Sequence, residues 1–501
     1  MSSRSANANK FVWYVLSSLL FCVGLFLVVR QPNDTDNFYH LAHSDIYWQN
    51  GIMYRPFPWA SYSVISQYKA DLWWGFHVLL VPFSLIADQH LRILIVPCVL
   101  VFIHLVLSGW SMVMLRLSPY YGFVLLLGSS SFLSRMDTVR PQALSSALLL
   151  WIFACLFTKR PALALVGASV LGFLHPTLSY MLVPILLSFC FITREKSRFA
   201  WSMGCLAFGL GAAALRPGIK DGLQLMKIQL VDLFLVRRQN IIQNFGAELD
   251  KVDLSYFMRS MALPLALLIL SLLFLLRKHS KGSYSIVQGA LVVTLIASTV
   301  CFFVTRRGVD QFVPFCVLTA VLLIKESGGF NWVSSLLCGT VLAFSGGNFV
   351  DVQHGKWGKV GDFQFEPAAK WLARNTPQGT IIGQSVWSDF GPLLYFNKHN
   401  RYFGGMDPIF QYKFDEQQYW RMTLVAKGRG VGETGATNPL SGELEEPVSK
   451  VFPRDLKTSY VVISKNWNTA LAEEIRGNPD TSVAFEDQNV VIFKFGALTL
   501  R

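Results

Sequence analysis

Apolar runs of close to twenty residues recur along this 501-residue chain from Phe11 to about Phe344. Few folds tolerate that pattern. In hydrocarbon every backbone N–H and C=O must be paired within the protein, and a helix of about 20 residues does so while crossing about 30 Å. Only 15% of the residues are charged, against about a quarter in an ordinary soluble chain. The chain is therefore expected to be a polytopic α-helical membrane protein. From about Asn348 onward the composition becomes that of a soluble domain, which is the one clear boundary. Residues 1–347 form the expected transmembrane module and residues 348–501 a C-terminal domain.

About eleven transmembrane helices are expected, at 11–30, 93–115, 120–134, 142–158, 161–176, 177–193, 199–216, 259–277, 285–304, 309–324 and 330–346. Leu72 to Ile86 is apolar but short, and reads as an interfacial helix within the loop 31–92, anchored by Trp73 and Trp74. Charge decides that reading. With Arg4 and Lys10 in the cytoplasm, each inner loop carries a cation: Arg116; Lys159 and Arg160; Arg194, Lys196 and Arg198; Arg277, Lys278 and Lys281; Lys325. Making Leu72–Ile86 a full span would place most of these clusters outside, against the positive-inside rule. The odd count sends the C-terminal domain and the long loop 217–258 to the outer face. Phe11–Val29 reads as an uncleaved anchor, because Arg30-Gln31-Pro32 offers no small-residue cleavage site.

The net charge of +13 is spread over short clusters between apolar runs. That is the pattern of topology determinants and anionic-lipid contact, not of a nucleic-acid patch. All eight cysteines fall inside apolar runs without metal-ligand spacing, and read as small buried hydrophobes. In the tail, Glu366–Asn375 and Asn466–Arg476 have helical patterns. Gly379–Gln384, Ser459–Ser464, Ser482–Phe485 and Val490–Phe493 have strand patterns, which gives a small α/β domain. Gly428–Pro447, rich in Gly, Thr, Asn and Glu, reads as a mobile loop.

The expected topology gathers polar residues on one face. Asp34 and Asp36 follow the first span at once, and ionisable groups beside a membrane need water or a partner. The same face receives Arg135, Asp137, Arg140 and His175, the pair Arg237 and Arg238, the acids Glu248, Asp250 and Asp253, and Arg306 with Arg307. Cations on the wrong side for topology need another reason, and binding an anion is the simplest.

Asp36-Asn37-Phe38-Tyr39-His40-Leu41, directly after the first anchor, resembles the first-loop motif of the C-type (GT-C) glycosyltransferases, in which an acid is followed by aromatic and polar residues. The group includes the catalytic subunit of oligosaccharyltransferase, the protein mannosyltransferases and the aminoarabinose transferase of lipid A. Asp137, within SRMDTVRPQAL, matches the acid of the second outer loop. Val386-Trp387-Ser388-Asp389-Phe390-Gly391 looks like a degenerate form of the acceptor-gripping WWDYG motif, with Ser388 and Phe390 in place of Trp and Tyr.

The resemblance implies an enzyme that transfers a sugar or glycan from a polyprenyl-phosphate-linked donor to a glycan, lipid or protein acceptor at the outer membrane face. Asp36 would act as base or orient the acceptor, with Asp137 as its helper. A divalent cation (Mg or Mn) held by Asp36 and Asp137, or the cations Arg306, Arg307, Arg237 and Arg238, would neutralise the leaving phosphate. His40, His175, Trp387 and Asp389 are the candidate acceptor contacts. The implied location is a bacterial inner membrane. The alternatives are a transporter or flippase of lipid-linked glycans, for which neither midplane charges nor an internal repeat is evident, and a non-catalytic membrane scaffold.

Overall fold

The computed structural model describes residues 2–193, 196–238, 252–277, 285–326, 332–356, 361–425 and 448–496. It is a polytopic helical membrane protein with a small C-terminal α/β domain. Among the described residues four helices are long and apolar enough to cross a membrane: Asn9–Val28, Gln89–Met114, Ile286–Phe303 and Arg306–Glu326. Ser197–Ala214 and Ile219–Val236 make a fifth if the pair, bent by 111°, is one span. The expected span 330–346 falls on the 23-residue helix Trp332–His354, and others are shorter. Residues 142–158 and 161–176 emerge as the helices Gln142–Phe157 and Pro161–Leu174, and the stretch 120–134 breaks into Tyr121–Leu126 and Ser130–Met136. Eleven full spans are thus not what length and hydropathy alone give. Short apolar helices are stable here because they are enclosed by protein, as in Gln142–Phe157, where Gln142 to Leu156 are all buried.

The loop after the first helix holds the helix Asp36–Asn50, whose residues from Asn37 to Tyr47 are all buried. A helix buried all round lies inside a fold, not on its surface. Leu72–Ile86 forms the short helix Trp74–Leu80 and the 3₁₀ turn Val81–Leu85, consistent with a segment that does not span. Trp73 is not an interfacial anchor: it is 9% exposed and packs against Tyr39 and His40.

The tail is organised on a five-stranded mixed sheet in the order β2-β1-β3-β5-β4. The strands are β1 (Ile381–Gln384), β2 (Arg401–Tyr402), β3 (Tyr460–Ser464), β4 (Thr481–Glu486) and β5 (Val490–Phe495). β1 runs parallel to β2 and β3, whereas β5 is antiparallel to β3 and β4. The expected helices form at Phe365–Asn375 and Thr469–Arg476. Phe365, Ala368, Ala369 and Leu372 supply the buried stripe of the first, at helical spacing. The Gly428–Pro447 loop lies outside the described residues.

The tail and the first loop are joined through backbone. Tyr402 N–H donates to Trp59 O, and Ser61 and Tyr62 N–H donate to Tyr402 and Phe403 O, each at 2.8 Å. Ala60 of the loop thereby forms an isolated parallel bridge with Tyr402 of β2. Arg92 holds Asp45 with two hydrogen bonds (2.5 and 3.0 Å) and donates to the Tyr395 hydroxyl at 2.9 Å. Gly391 is required at this joint, since a Cβ there would lie 2.7 Å from Thr35 O. These contacts seat the helix Phe390–Phe396 against the N-terminal turn of Asp36–Asn50.

Candidate active site

Asp36 opens its helix, with its carboxylate in the first turn, where negative charge is favoured. Asp34 Oδ1 accepts the Asp36 N–H at 3.0 Å and so satisfies one of the unpaired donors of that turn. Asp34 is not simply solvated. Arg140 Nη2 lies 2.7 Å from both Asp34 Oδ2 and Asp36 Oδ2, with all three side chains mostly buried. One guanidinium thus fixes two carboxylates from the other side of the site.

Asp36 faces a cavity of about 580 Å³. Its polar wall includes His40, Arg135, Arg140, His175, Arg307, Asp310 and Asp407, and Trp387 reaches it from the tail. Its apolar wall includes Leu178, Leu230, Phe234, Val300 and Val304. Asp36 and His40 both reach it because residues four apart share one helix face. Arg135 holds Asp310 with two hydrogen bonds, 2.6 and 2.8 Å. His175 Nδ1 lies 2.9 Å from the Ser145 hydroxyl. A polar end and an apolar side in one cavity suit a phosphate carried on a hydrocarbon chain.

The expected residues divide. Asp36, His40, His175, Arg307 and Trp387 line the cavity. Arg306 does not: its guanidinium donates to Asp253 Oδ2 at 2.6 Å and lies over the Tyr256 ring. The two arginines occupy one 3₁₀ turn, Arg306–Gly308, where neighbours point about 120° apart. The same geometry separates Trp387 from Asp389, which is buried with no hydrogen-bond partner on Oδ2 among the described residues. Burial, assisted by nearby Asp362, pushes the Asp389 carboxyl up to about 8. The side chains of Arg237 and Arg238, which end the helix Leu233–Arg238, lie outside the described residues, as do Glu248 and Asp250.

Asp137 lies against the segment that bears Asp36 but does not line the cavity. It accepts a hydrogen bond from Asn33 Nδ2 at 2.7 Å, while Asn33 Oδ1 accepts from Gln353 Nε2 and Lys356 Nζ at 2.7 and 2.6 Å. Burial raises the Asp137 carboxyl to about 8, despite Lys356 and the Asn33 hydrogen bond. Asp137 also makes no ion pair with Arg135 or Arg140, since those two reach across to Asp310 and to Asp34 and Asp36.

A divalent cation shared by Asp36 and Asp137 does not fit this arrangement, because Asp137 turns away from the cavity. Among the described residues, His43, Asp71 and His77 bring three possible ligand atoms within 4.8 Å of one another. They do not form a cradle for an ion. His77 Nδ1 is 2.5 Å from Asp71 Oδ2, and the Tyr47 hydroxyl donates to that same oxygen at 2.9 Å. Two ligand atoms each about 2.0–2.2 Å from a metal at a tetrahedral angle would stand farther apart.

From the sequence, Arg135 and Arg140 were placed on the face that carries Asp36 as anion-binding cations without a partner being assigned, and Asp310 and Asp71 were passed over as site residues. Asp310 carried a usable signal, since an acid opening an apolar run requires a partner. Nothing in the sequence assigned its partner among the cations of the loops.

No protein-family model matches the chain, and no curated protein matches it. Solved structures do. ArnT from Cupriavidus metallidurans bound to undecaprenyl phosphate aligns with a TM-score of 0.55 at 11% identity, covering 96% of this chain and 97% of that one. ArnT of the same organism in the apo state aligns with a TM-score of 0.57 at 12% identity, covering 97% and 98%. The likeness is one of fold and extends over nearly the whole of both chains: this chain has the fold of the ArnT structures.

Proposed function

We propose that this protein transfers a sugar from a polyprenyl-phosphate-linked donor to an acceptor at the outer face of a bacterial inner membrane. The observation that carries the proposal is the single cavity in which Asp36, Arg140 and Arg307 meet an apolar wall. The bound undecaprenyl phosphate of one ArnT structure supports the same reading of a shared fold. The N-terminus would be cytoplasmic and the tail periplasmic, as the cations of the short loops suggest.

In this reading Arg307 neutralises the leaving phosphate, a role suited to a guanidinium. Arg140 fixes Asp34 and Asp36, so that Asp36 presents its carboxylate to the acceptor in one orientation. Preorganised charge of this kind acts on the transition state without reorganising during the reaction. Trp387 supplies a tail contact to the acceptor. Asp137 is a positioning residue: through Asn33 it ties the loop that bears Asp36 to the helix Trp332–His354.

The test is a panel of undecaprenyl-phosphate pentoses and hexoses, offered to the purified chain in lipid nanodiscs, with release of free undecaprenyl phosphate as the readout. Cleavage of at least one donor by wild type, and none by Asp36→Asn, is expected. A wild type that carries these lipids across the bilayer but cleaves none would establish a flippase instead.

A further inference from the structure

We infer that Asp71, His77 and His40 form a proton relay that opens into the cavity and receives the proton of a hydroxyl-bearing acceptor. This rests on the transferase reading for its substrate, but the hydrogen-bond chain stands on geometry alone. His77 Nδ1 meets Asp71 Oδ2 at 2.5 Å, and His77 Nε2 meets His40 Nδ1 at 2.7 Å. His40 Nε2 makes no hydrogen bond among the described residues and is not shut off from the cavity that His40 lines. His77 is 0% exposed and His40 only 2%. A chain of this kind, sealed at one end and open at the other, has a direction.

Two proton states satisfy both short contacts. Two nitrogens at 2.7 Å need one proton between them, since two lone pairs or two N–H groups would repel. With His77 neutral, its Nδ1–H donates to Asp71, its Nε2 accepts from His40 Nδ1–H, and His40 Nε2 offers a lone pair to the cavity. With His77 protonated, its Nε2–H donates to His40 Nδ1, and His40 presents Nε2–H to the cavity. One proton accepted at His40 Nε2 and one passed on from Nδ1 convert the first state into the second. His40 is neutral in both.

The surroundings favour this division of charge. Burial, with nearby His77 and Arg140, holds His40 well below the ordinary imidazole range, so positive charge is not retained there. Asp71 is the built-in counter-ion. Burial opposes its ionisation, yet the imidazoles of His77 and His43 and the hydrogen bonds from His77 and from Trp73 N–H outweigh it and hold the carboxyl well below the usual range. Burial pushes His43, stacked on His77, down to about 3, so it stays neutral beside the pair.

In the transfer step the acceptor oxygen forms a bond to the anomeric carbon as the bond from that carbon to the phosphate oxygen breaks. The bonding pair leaves on the phosphate. The acceptor proton goes to His40 Nε2 while the Nδ1 proton moves to His77, which becomes the cation paired with Asp71. The proton returns to solvent by the reverse path once the product has left. An acceptor that attacks through an ionised phosphate brings no proton and gains nothing from the relay.

Asp71→Asn is the decisive change. Trp73 N–H donates to Asp71 Oδ1 at 2.9 Å, which requires the amide oxygen at that place and turns the NH₂ toward His77. The polarity of the whole chain then reverses, and His40 shows the cavity an N–H in place of a lone pair. In catalytic triads an Asp→Asn change that keeps geometry but imposes the wrong tautomer lowers turnover by about 10⁴.

The experiment uses the full chain in nanodiscs with ¹⁵N-labelled histidine, the His40 and His77 signals being assigned by loss in His40→Gln and His77→Gln. Solid-state NMR of wild type should find His40 protonated at Nδ1 and bare at Nε2, and of Asp71→Asn the opposite. With a donor that wild type cleaves and octyl glucoside as the hydroxyl probe, Asp71→Asn and His40→Gln should each lose at least ~100-fold in turnover, with undecaprenyl phosphate affinity unchanged. Wild-type His40 bare at Nδ1, full turnover in Asp71→Asn, or a stoichiometric metal bound by wild type and lost in Asp71→Asn would each overturn the relay. A wild type that cleaves no donor defeats the transferase reading instead, and the NMR result still decides the chain of protons.

Discussion

Asp36 and Asp137 sit in regions that touch but that treat a carboxylate in opposite ways. Around Asp36 the side chains are partly open, and Arg140 meets the carboxylate directly at 2.7 Å. Around Asp137 the site is closed, the nearest donor is the neutral Asn33 amide, and burial lifts the carboxyl to about 8. The first has a cation at hand to offset the loss of water. The second is more economically held as a neutral acid at neutral pH. Two acids with similar standing in the sequence thus divide into one suited to chemistry and one suited to holding two segments together.

The largest expected effect separates them. Asp36→Asn should lower donor cleavage by at least ~100-fold, the usual range for losing a positioned acid or base, with no change in thermal unfolding. Asp137→Asn should keep most of the activity. If cleavage assays gave the reverse ranking, the comparison would fail outright.

Next in size is the phosphate contact. Arg307→Ala removes charge-assisted hydrogen bonds worth about 1.5–3 kcal/mol, so undecaprenyl phosphate should bind roughly 10–100-fold more weakly in a titration. Arg306→Ala, which removes a contact to Asp253 outside the cavity, should leave that affinity alone. Equal losses from both arginines would place the donor elsewhere.

Asp310→Asn probes the wall. It strands Arg135, whose side chain is 18% exposed, opposite a neutral amide. Breaking one partner of a buried pair costs about 3–5 kcal/mol, and the residual exposure of Arg135 brings the expectation to the lower end. A lowered unfolding temperature in detergent is the readout.

The last expectation concerns pH. A carboxyl raised to about 8 in the folded chain and near the ordinary ~3.9 when unfolded keeps a proton on folding only between those values. Wild-type stability through Asp137 is then fully present below the lower value and falls as pH rises toward the upper one. Asp137→Asn lacks that slope. Its unfolding temperature, relative to wild type, should rise from pH 5 to pH 8, and a flat difference would show Asp137 to be charged.

Much of this was legible beforehand. The helix Phe365–Asn375 and the strands β1, β3, β4 and β5 follow from local pattern and agree with the structure. Asp36 and His40 were legible as candidates from the motif after the first anchor, whereas their place on one helix face came from the structure. The partners of Arg140 were not legible, because they lie about a hundred residues earlier, across a loop whose path no local rule fixes. Trp73 misled for a related reason: an aromatic pair beside an apolar run has the same sequence signature whether it meets lipid headgroups or packs against a neighbouring helix, here Asp36–Asn50. The eleven spans blurred because hydropathy reports how apolar a segment is and cannot report whether lipid or protein surrounds it.

By itself the sequence determined the medium this chain folds in, whereas the tail boundary read at about Asn348 falls inside the continuous helix Trp332–His354. It also determined that acids and aromatics follow the first anchor, since backbone pairing in hydrocarbon and helical periodicity act within a few residues of chain. Only the tertiary structure decided which cation those acids meet, which arginine faces the cavity, and that Asp71, His77 and His40 connect. Those properties depend on desolvation and on distances of about 3 Å between segments far apart in the chain, and such distances exist only once the helices have packed.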